Sequence, residues 1–435
     1  MITSLLAAGL WLSSGLQADP LPRKPWFGAG LTAVEGGLKV TQVVAGGTAD
    51  SAKLRVDDIV TSLAGKPTAT VGDLTQILGG LKTGSQSSLA FMRAGKEQMA
   101  AIQILPKLPD NGDGYETIYD SVVSKGKRIR IFVTRPKTAG KHPAMFLIQG
   151  IGYVSNEQPL TSTSGYGRIC RAFSDKGYVT VRVEKPGLGD SEGGPADDVD
   201  FDTEVDAFRQ ALLKTKQYDF VDPSKVVIFG HSMGGCEGPI LASEIPVAGL
   251  AVYGTVVRTW HEYVVDMFRH QPSLGGAVAS SLDASERNVI AALHLIFNEG
   301  LSLAEIEEKH PKWAGAAKAV IPDGKHFSGV GLPFWRGCFA QNYASFCEKL
   351  DTQVLSVYGA CDFVAERVDH PMIADIVNRA HPGKARFVEI PESDHAFRRV
   401  ATPKESMEFW AKGGKEMNPA ICDMLVKWAN EVTRS

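Results

Sequence analysis

A chain of 435 residues exceeds what one hydrophobic core usually organises, and 44% hydrophobic with 22% charged residues is an ordinary soluble composition. The formal net charge of −3 gives no electrostatic reason to expect nucleic acid or an anionic membrane surface as partner. The six cysteines show neither a Cys-x-x-Cys pair nor Cys/His zinc spacing, so no metal is expected. Their pairing stays open beside a role as buried apolar thiols.

Residues 1–16 are apolar, carry no charged side chain and are short for a bilayer span. Followed by Gln17-Ala18-Asp19-Pro20, they read as a secretory signal over 1–18, the alternative being a first buried helix. An exported chain, periplasmic or secreted, is expected. No later stretch is apolar for long enough to be a transmembrane helix.

The next region alternates short strands, at 38–44, 59–64, 88–93 and 98–105, the last two joined as a hairpin through Ala94-Gly95-Lys96. Leu74, Ile77, Leu78 and Leu81 recur at helical spacing behind Thr70, a candidate N-cap. Residues 107–114 (KLPDNGDG) are polar and rich in turn formers, which predicts a linker. Over 25–106 the chain resembles a PDZ domain, carried by Trp26-Phe27-Gly28-Ala29-Gly30-Leu31, Val43-Val44-Ala45-Gly46-Gly47-Thr48-Ala49, 54–60 and Leu63-Ala64-Gly65-Lys66. The resemblance implies that Phe27, Gly28, Ala29 and Gly30 form a loop whose backbone N–H groups hold a peptide carboxylate while the tail adds a strand. Lys53 and Asp57 stand where that family usually has Gly. A domain that only packs is the alternative.

From residue 115 to 435 strands and helices alternate, predicting an α/β architecture with a mainly parallel sheet. Near-continuous apolar runs at 144–149, 178–184, 225–230, 247–253, 352–358 and 385–390 suit strands covered on both faces. Phe201, Val205, Phe208 and Leu212 make one helical stripe, and Ile421, Leu425 and Trp428 another. Residues from about 258 to 350 break the alternation and read as a mostly helical cap, clearest at 288–297.

Gly230-His231-Ser232-Met233-Gly234 follows an apolar strand and precedes a helix-compatible run, as a nucleophile elbow does. A serine hydroxyl needs an imidazole to take its proton, and the imidazole needs a carboxylate to fix its tautomer. Asp362 follows the strand at 352–358 and His395 the strand at 385–390, so all three sit at carboxyl ends of strands, where open α/β sheets bind ligands. His231, Asp394, Glu366, Asp369, Cys236 and Cys361 read as packing, turn or ordinary polar residues.

These residues, with Phe146-Leu147-Ile148-Gln149-Gly150-Ile151-Gly152 and the turn 185–193, resemble the α/β-hydrolase family over about 115–435. The resemblance implies catalysis by Ser232, Asp362 and His395, an oxyanion hole from the N–H groups of Ile151 and Met233, and no cofactor. Gln149 stands where that family usually has His. In the cap, Arg258, Trp260, Glu262 and Tyr263 are candidate substrate contacts, Glu262 for an amine and Arg258 for a carboxylate; charge pairing within the cap is the alternative. The expected activity is carboxylic-ester hydrolysis on a small molecule. Alternatives are an exported peptidase using the same triad, with protein tails recruited by the first domain, and a non-catalytic periplasmic binding or scaffold protein.

Overall fold

The computed structural model describes residues 21–434, so the predicted signal at 1–18 lies outside the described residues. Short alternating segments build the first sheet: β1 (Ala29–Val34), β2 (Gly37–Val43), β3 (Ile59–Leu63), β4 (Lys66–Pro67), β5 (Gln86–Arg93) and β6 (Lys96–Gln103). The spatial order is β1-β2-β3-β5-β6 with β4 on β3, which leaves β1 at an edge. Helices α1 (Thr48–Ser51) and α2 (Val71–Gly79) accompany it, and α2 opens at Thr70 with a capping box to Asp73. Leu38, Val60, Leu63, Leu74 and Leu89 form its core. Lys53 (φ 57°) and Asp57 (φ 73°) adopt the left-handed conformation that glycine would take there without strain, and Asp57 pairs with Lys39 at 2.8 Å.

The second sheet opens with a long antiparallel hairpin, β7 (Tyr115–Ser124) and β8 (Lys127–Pro136), not with the strand-helix alternation expected from residue 115. Six parallel strands follow: β9 (His142–Ile148), β10 (Val179–Val183), β11 (Val221–His231), β12 (Gly249–Tyr253), then, beyond the two-residue strands β13 (His326–Phe327) and β14 (Val330–Gly331), β15 (Gln353–Gly359) and β16 (Ala385–Ile390). The order is β16-β15-β12-β11-β9-β10-β8-β7, with β8 antiparallel to β10. Side chains alternate between faces, so Ala144, Phe146 and Ile148 of β9 meet one core and Met145 and Leu147 the other. The first core takes α4 (Phe201–Thr215) and α5 (Met233–Glu244); the second takes α3 (Gly165–Ser174). Both predicted stripes are buried in this way.

Between β12 and β15 the chain runs through α6 (Trp260–Leu274), α7 (Ala279–Leu293), α8 (Leu303–Lys309), α9 (Pro311–Val320), α10 (Leu332–Phe339) and α11 (Tyr343–Cys347). The helix predicted at 288–297 is the second half of α7 continued by a wider turn at His294–Asn298. After β15 come α12 (Asp369–Ala380), α13 (Pro403–Lys412) and α14 (Pro419–Arg434), the last carrying the second stripe. All six cysteines are free thiols, and no helix among the described residues is long and apolar enough to cross a membrane.

A short N-terminal strap ties the two sheets together. Arg23 pairs with Glu157 at 2.6 Å and Asp190 at 2.9 Å, and Lys24 N donates to Asp190. Arg130, itself paired with Asp190, donates to the Leu21 carbonyl.

Candidate active site

Ser232 sits at the sharp turn between β11 and α5 with φ 55° and ψ −119°, a strained conformation for a residue with a side chain. The turn is possible because α5 approaches β9 closely: a Cβ at Gly234 would fall 2.1 Å from the Ile148 carbonyl oxygen. As first residue of α5, Met233 has an amide without an intrahelical acceptor. The Ile151 amide likewise meets no acceptor among the described residues.

Asp362, fully buried just after β15, accepts the N–H groups of Val364 and Ala365 through Oδ1. Its Oδ2 accepts from His395 Nδ1 at 2.8 Å, so the ring is held with Nδ1 protonated and Nε2 as the free base. Gly254, after β12, lies against this pair; a Cβ there would sit 2.9 Å from His395 Nδ1 and 3.0 Å from Asp362 Oδ2. The structure thus brings Asp362 and His395 into contact at neighbouring strand ends, with Ser232 at the end of a third.

His231 does more than pack. Gly150 N donates to Tyr166 Oη at 2.8 Å, the Tyr166 hydroxyl faces His231 Nδ1 at 2.6 Å, and His231 Nε2 lies 2.8 Å from the His395 carbonyl. Only one tautomer satisfies this chain: Tyr166 donates to Nδ1 and Nε2–H donates to the carbonyl. Burial, with the nearby His395, holds the His231 pKa well below the usual range, so the ring stays neutral. The loop carrying Ile151 and the loop carrying His395 are thereby joined through one hydrogen-bond path.

Two further anchors hold the Ile151 loop. Gln149 donates to the Val183 carbonyl at 3.1 Å and accepts from Asn156 at 3.1 Å, so the Gln found in place of His fastens the loop to the end of β10. Lys185, 3% exposed, donates to the Gly150 carbonyl at 2.9 Å and pairs with Glu204 at 2.6 Å. Burial, then the Glu204 charge, pushes the adjoining Glu237 carboxyl well above its usual pKa, keeping it protonated beside that ion pair. Sequence reasoning missed Tyr166 and Lys185. Tyr166 had a signal, since it heads the stripe Tyr166, Ile169, Cys170, Phe173 with a hydroxyl that needs a partner; Lys185 had none beyond lying in the 185–193 turn.

The charged candidates in the cap make contacts within the protein, as the pairing alternative has it. Glu262 closes a capping box on Thr259 at the start of α6. Arg258 pairs with Asp266 at 2.7 Å and with Asp369 at 3.2 Å, and Asp369, outside the cap, also accepts the Val257 and Arg258 amides. Trp260 packs edge-on against Trp335 and Tyr263, and Tyr263 Oη donates to the Val364 carbonyl, two residues past Asp362. Asp394 is an ion-pair partner of Arg398 at 2.7 Å, and Glu366 lies 2.8 Å from His270 Nδ1. In the first domain, the Phe27 and Gly28 carbonyls accept from Ala49 and Val44, which sets Gly28 (φ 76°) as the turn leading into edge strand β1. Among the described residues no cluster of three or more His, Cys, Asp or Glu could hold a metal ion.

Comparison with known proteins agrees with this architecture. Residues 25–104 match the PDZ domain and residues 155–405 the alpha/beta hydrolase family. Esterase EstD of Thermotoga maritima is 20% identical over 359 residues, covering 82% of this chain and 76% of that protein. A probable periplasmic serine endoprotease DegP-like of Pseudomonas putida is 37% identical over 75 residues, only 17% of this chain and 16% of that protein. The structure of Est1E from Butyrivibrio proteoclasticus with ferulic acid bound covers 72% of this chain and 99% of its own, with 15% identity and a TM-score of 0.46. The matched family spans more than half of the chain, on the sheet that carries Ser232, Asp362 and His395: this protein belongs to the alpha/beta hydrolase family.

Proposed function

We propose that the chain is a serine esterase that cleaves carboxylic esters through an acyl-enzyme on Ser232. The observation that carries the reading is the buried Asp362–His395 contact, which leaves His395 Nε2 free at the strand ends where the strained Ser232 turn lies. His395 takes the hydroxyl proton as Ser232 Oγ attacks the acyl carbon, and the oxyanion that forms is met by the amides of Ile151 and Met233. Collapse breaks the ester bond, and His395 returns the proton to the departing alkoxide. Water, deprotonated by the same base, then releases the acid and restores Ser232. The likeness to an esterase over 82% of the chain supports the ester class. Glu262, which motivated an aminopeptidase reading, is occupied as a helix cap.

A fluorophosphonate probe should label Ser232 in the full-length protein, and Ser232→Ala should abolish both labelling and turnover of p-nitrophenyl esters. Labelling that persists in Ser232→Ala sinks the assignment. The periplasmic relatives that match the first domain support an exported protein, and N-terminal sequencing of mature material should then begin at Asp19.

A further inference from the structure

A cleft of about 330 Å³ lies between the two domains, and Ser232 does not line it. Its apolar walls are Trp26 and Val44 from the first domain, Leu108 and Pro109 from the connecting segment, and Phe132 from β8. Arg182, on β10, also lines it and is 1% exposed. Of its guanidinium, Nη2 donates to Thr134 Oγ1 at 2.9 Å, while Nε is buried with no acceptor among the described residues. No described carboxylate pairs with it. The contrast with Arg130, equally buried but paired with Asp190, is direct. A buried charge left without a counter-charge is strongly disfavoured unless something supplies one.

The rest of the lining says what that something is. Lys107 adds a second cation, its ammonium donating to the Glu157 carbonyl at 3.1 Å. Two carboxylates share the wall, and both are engaged. Asp110 accepts from Tyr115 Oη and Leu160 N, and Glu157 pairs with Arg23. A planar guanidinium edge matches the two oxygens of a carboxylate, whereas a compact dianion would meet the two wall carboxylates with little apolar body to offer Trp26 and Leu108.

We propose that this interdomain cleft is a binding site for a small organic carboxylate. The head group lies on Arg182 and the apolar body between Trp26 and the Leu108–Pro109 segment. Because its walls come from both domains, an occupant stabilises their docking. The proposal is independent of the reaction at Ser232.

The test uses the full-length protein, phenylacetate as ligand, and phenylacetamide and inorganic phosphate as controls, read by calorimetry and thermal unfolding. Phenylacetate should bind at one site and raise Tm; the amide, the same shape without the charge, and phosphate should bind at least tenfold more weakly. Arg182→Gln should lose the binding. Because that buried change can disturb folding, Ala45→Glu is the second variant: Ala45 is exposed on the cleft wall, and a carboxylate there competes for Arg182, weakening phenylacetate at least tenfold in a folded protein. Equal binding of acid and amide, preferred binding of phosphate, no binding of phenylacetate, or full affinity in Ala45→Glu would each overturn the proposal.

Discussion

Asp362 and Asp394 are both fully buried, and Asp394 is the one adjacent to His395 in sequence, yet only Asp362 touches the ring. Asp394 Oδ2 instead pairs with Arg398 and accepts from Ser406. Asp362→Asn should therefore lower kcat toward p-nitrophenyl acetate by up to about 10⁴-fold, through loss of the tautomer and the stabilising charge. Asp394→Asn should leave kcat within a few-fold and lower Tm, because it breaks the pairing of a fully buried carboxylate with the partly buried Arg398. Reversed ranks in a kinetic comparison would show that the acid is misassigned. Tyr166→Phe tests the hydrogen-bond path between the two loops. It removes the acceptor for Gly150 N and the donor to His231 Nδ1 while keeping the ring. As a positioning residue, Tyr166 should affect kcat by about tenfold with KM little changed, the pattern expected when an interaction tightens only in the transition state. An unchanged kcat would assign Tyr166 to packing alone. At this scale the sequence displays residues whose neighbours in the chain announce them, as the glycines around Ser232 do. Lys185 and Tyr166 reach the same loop only through topology: the stripe that Tyr166 heads marks a residue that packs, but no local pattern names the partner of its hydroxyl, and none reveals Lys185.

Among the elements, the buried parallel strands were legible because a strand covered on both faces must be apolar throughout. The hairpin of β7 and β8 was not. Its residues mix polar and apolar side chains, as in Tyr115-Glu116-Thr117 and Lys127-Arg128, because β7 is mostly only partly buried and the ends of β8 are exposed or partly buried. The start of β11 at Val221 was hidden by Asp222-Pro223, a turn signal that the strand absorbs as a register shift between Val221 and Val226. The end of β10 carries a consequence that propensity cannot show. Burial pushes the Glu184 carboxyl up to about 7 from its ordinary 4.5, against the hydrogen bonds from Ser155 and Asn156. Between those values the folded chain holds a proton that the unfolded chain has released. The Glu184 contribution to stability therefore falls as pH rises from about 4.5 through about 7 and is level above that. Glu184→Gln should remove this slope, so that unfolding free energies of mutant and wild type diverge with rising pH by on the order of 3 kcal/mol. Parallel denaturation curves from pH 5 to 8 would count against a protonated Glu184.

On the scale of the whole molecule, the question is what an edge strand does on a hydrolase. Two sheets were legible because the sequence changes pattern across the polar segment at 107–114, whereas the contacts through Arg23, Asp190 and Arg130 join residues far apart in sequence. The match over 25–104 and the free edge of β1 behind the Gly28 turn suit a peptide tail that adds a strand and sets its carboxylate on backbone N–H groups. If the domain recruits substrates in this way, a peptide with a free C-terminus should bind the full-length protein, and its C-terminal amide should bind far more weakly. The chemistry sits on other strands, so saturating free peptide should leave kcat/KM for a small activated ester unchanged. An ester carried on such a tail should show a lower KM than the same ester on an amidated tail, with equal kcat, because tethering raises local concentration and leaves the transition state alone. A change in small-ester kcat on peptide binding would mean instead that the first domain gates the site through the strap and the interdomain contacts. Arg23→Met separates the two cases: it loosens the strap at Glu157 and Asp190, so under recruitment it lowers Tm without altering small-ester kcat, and under gating it alters both.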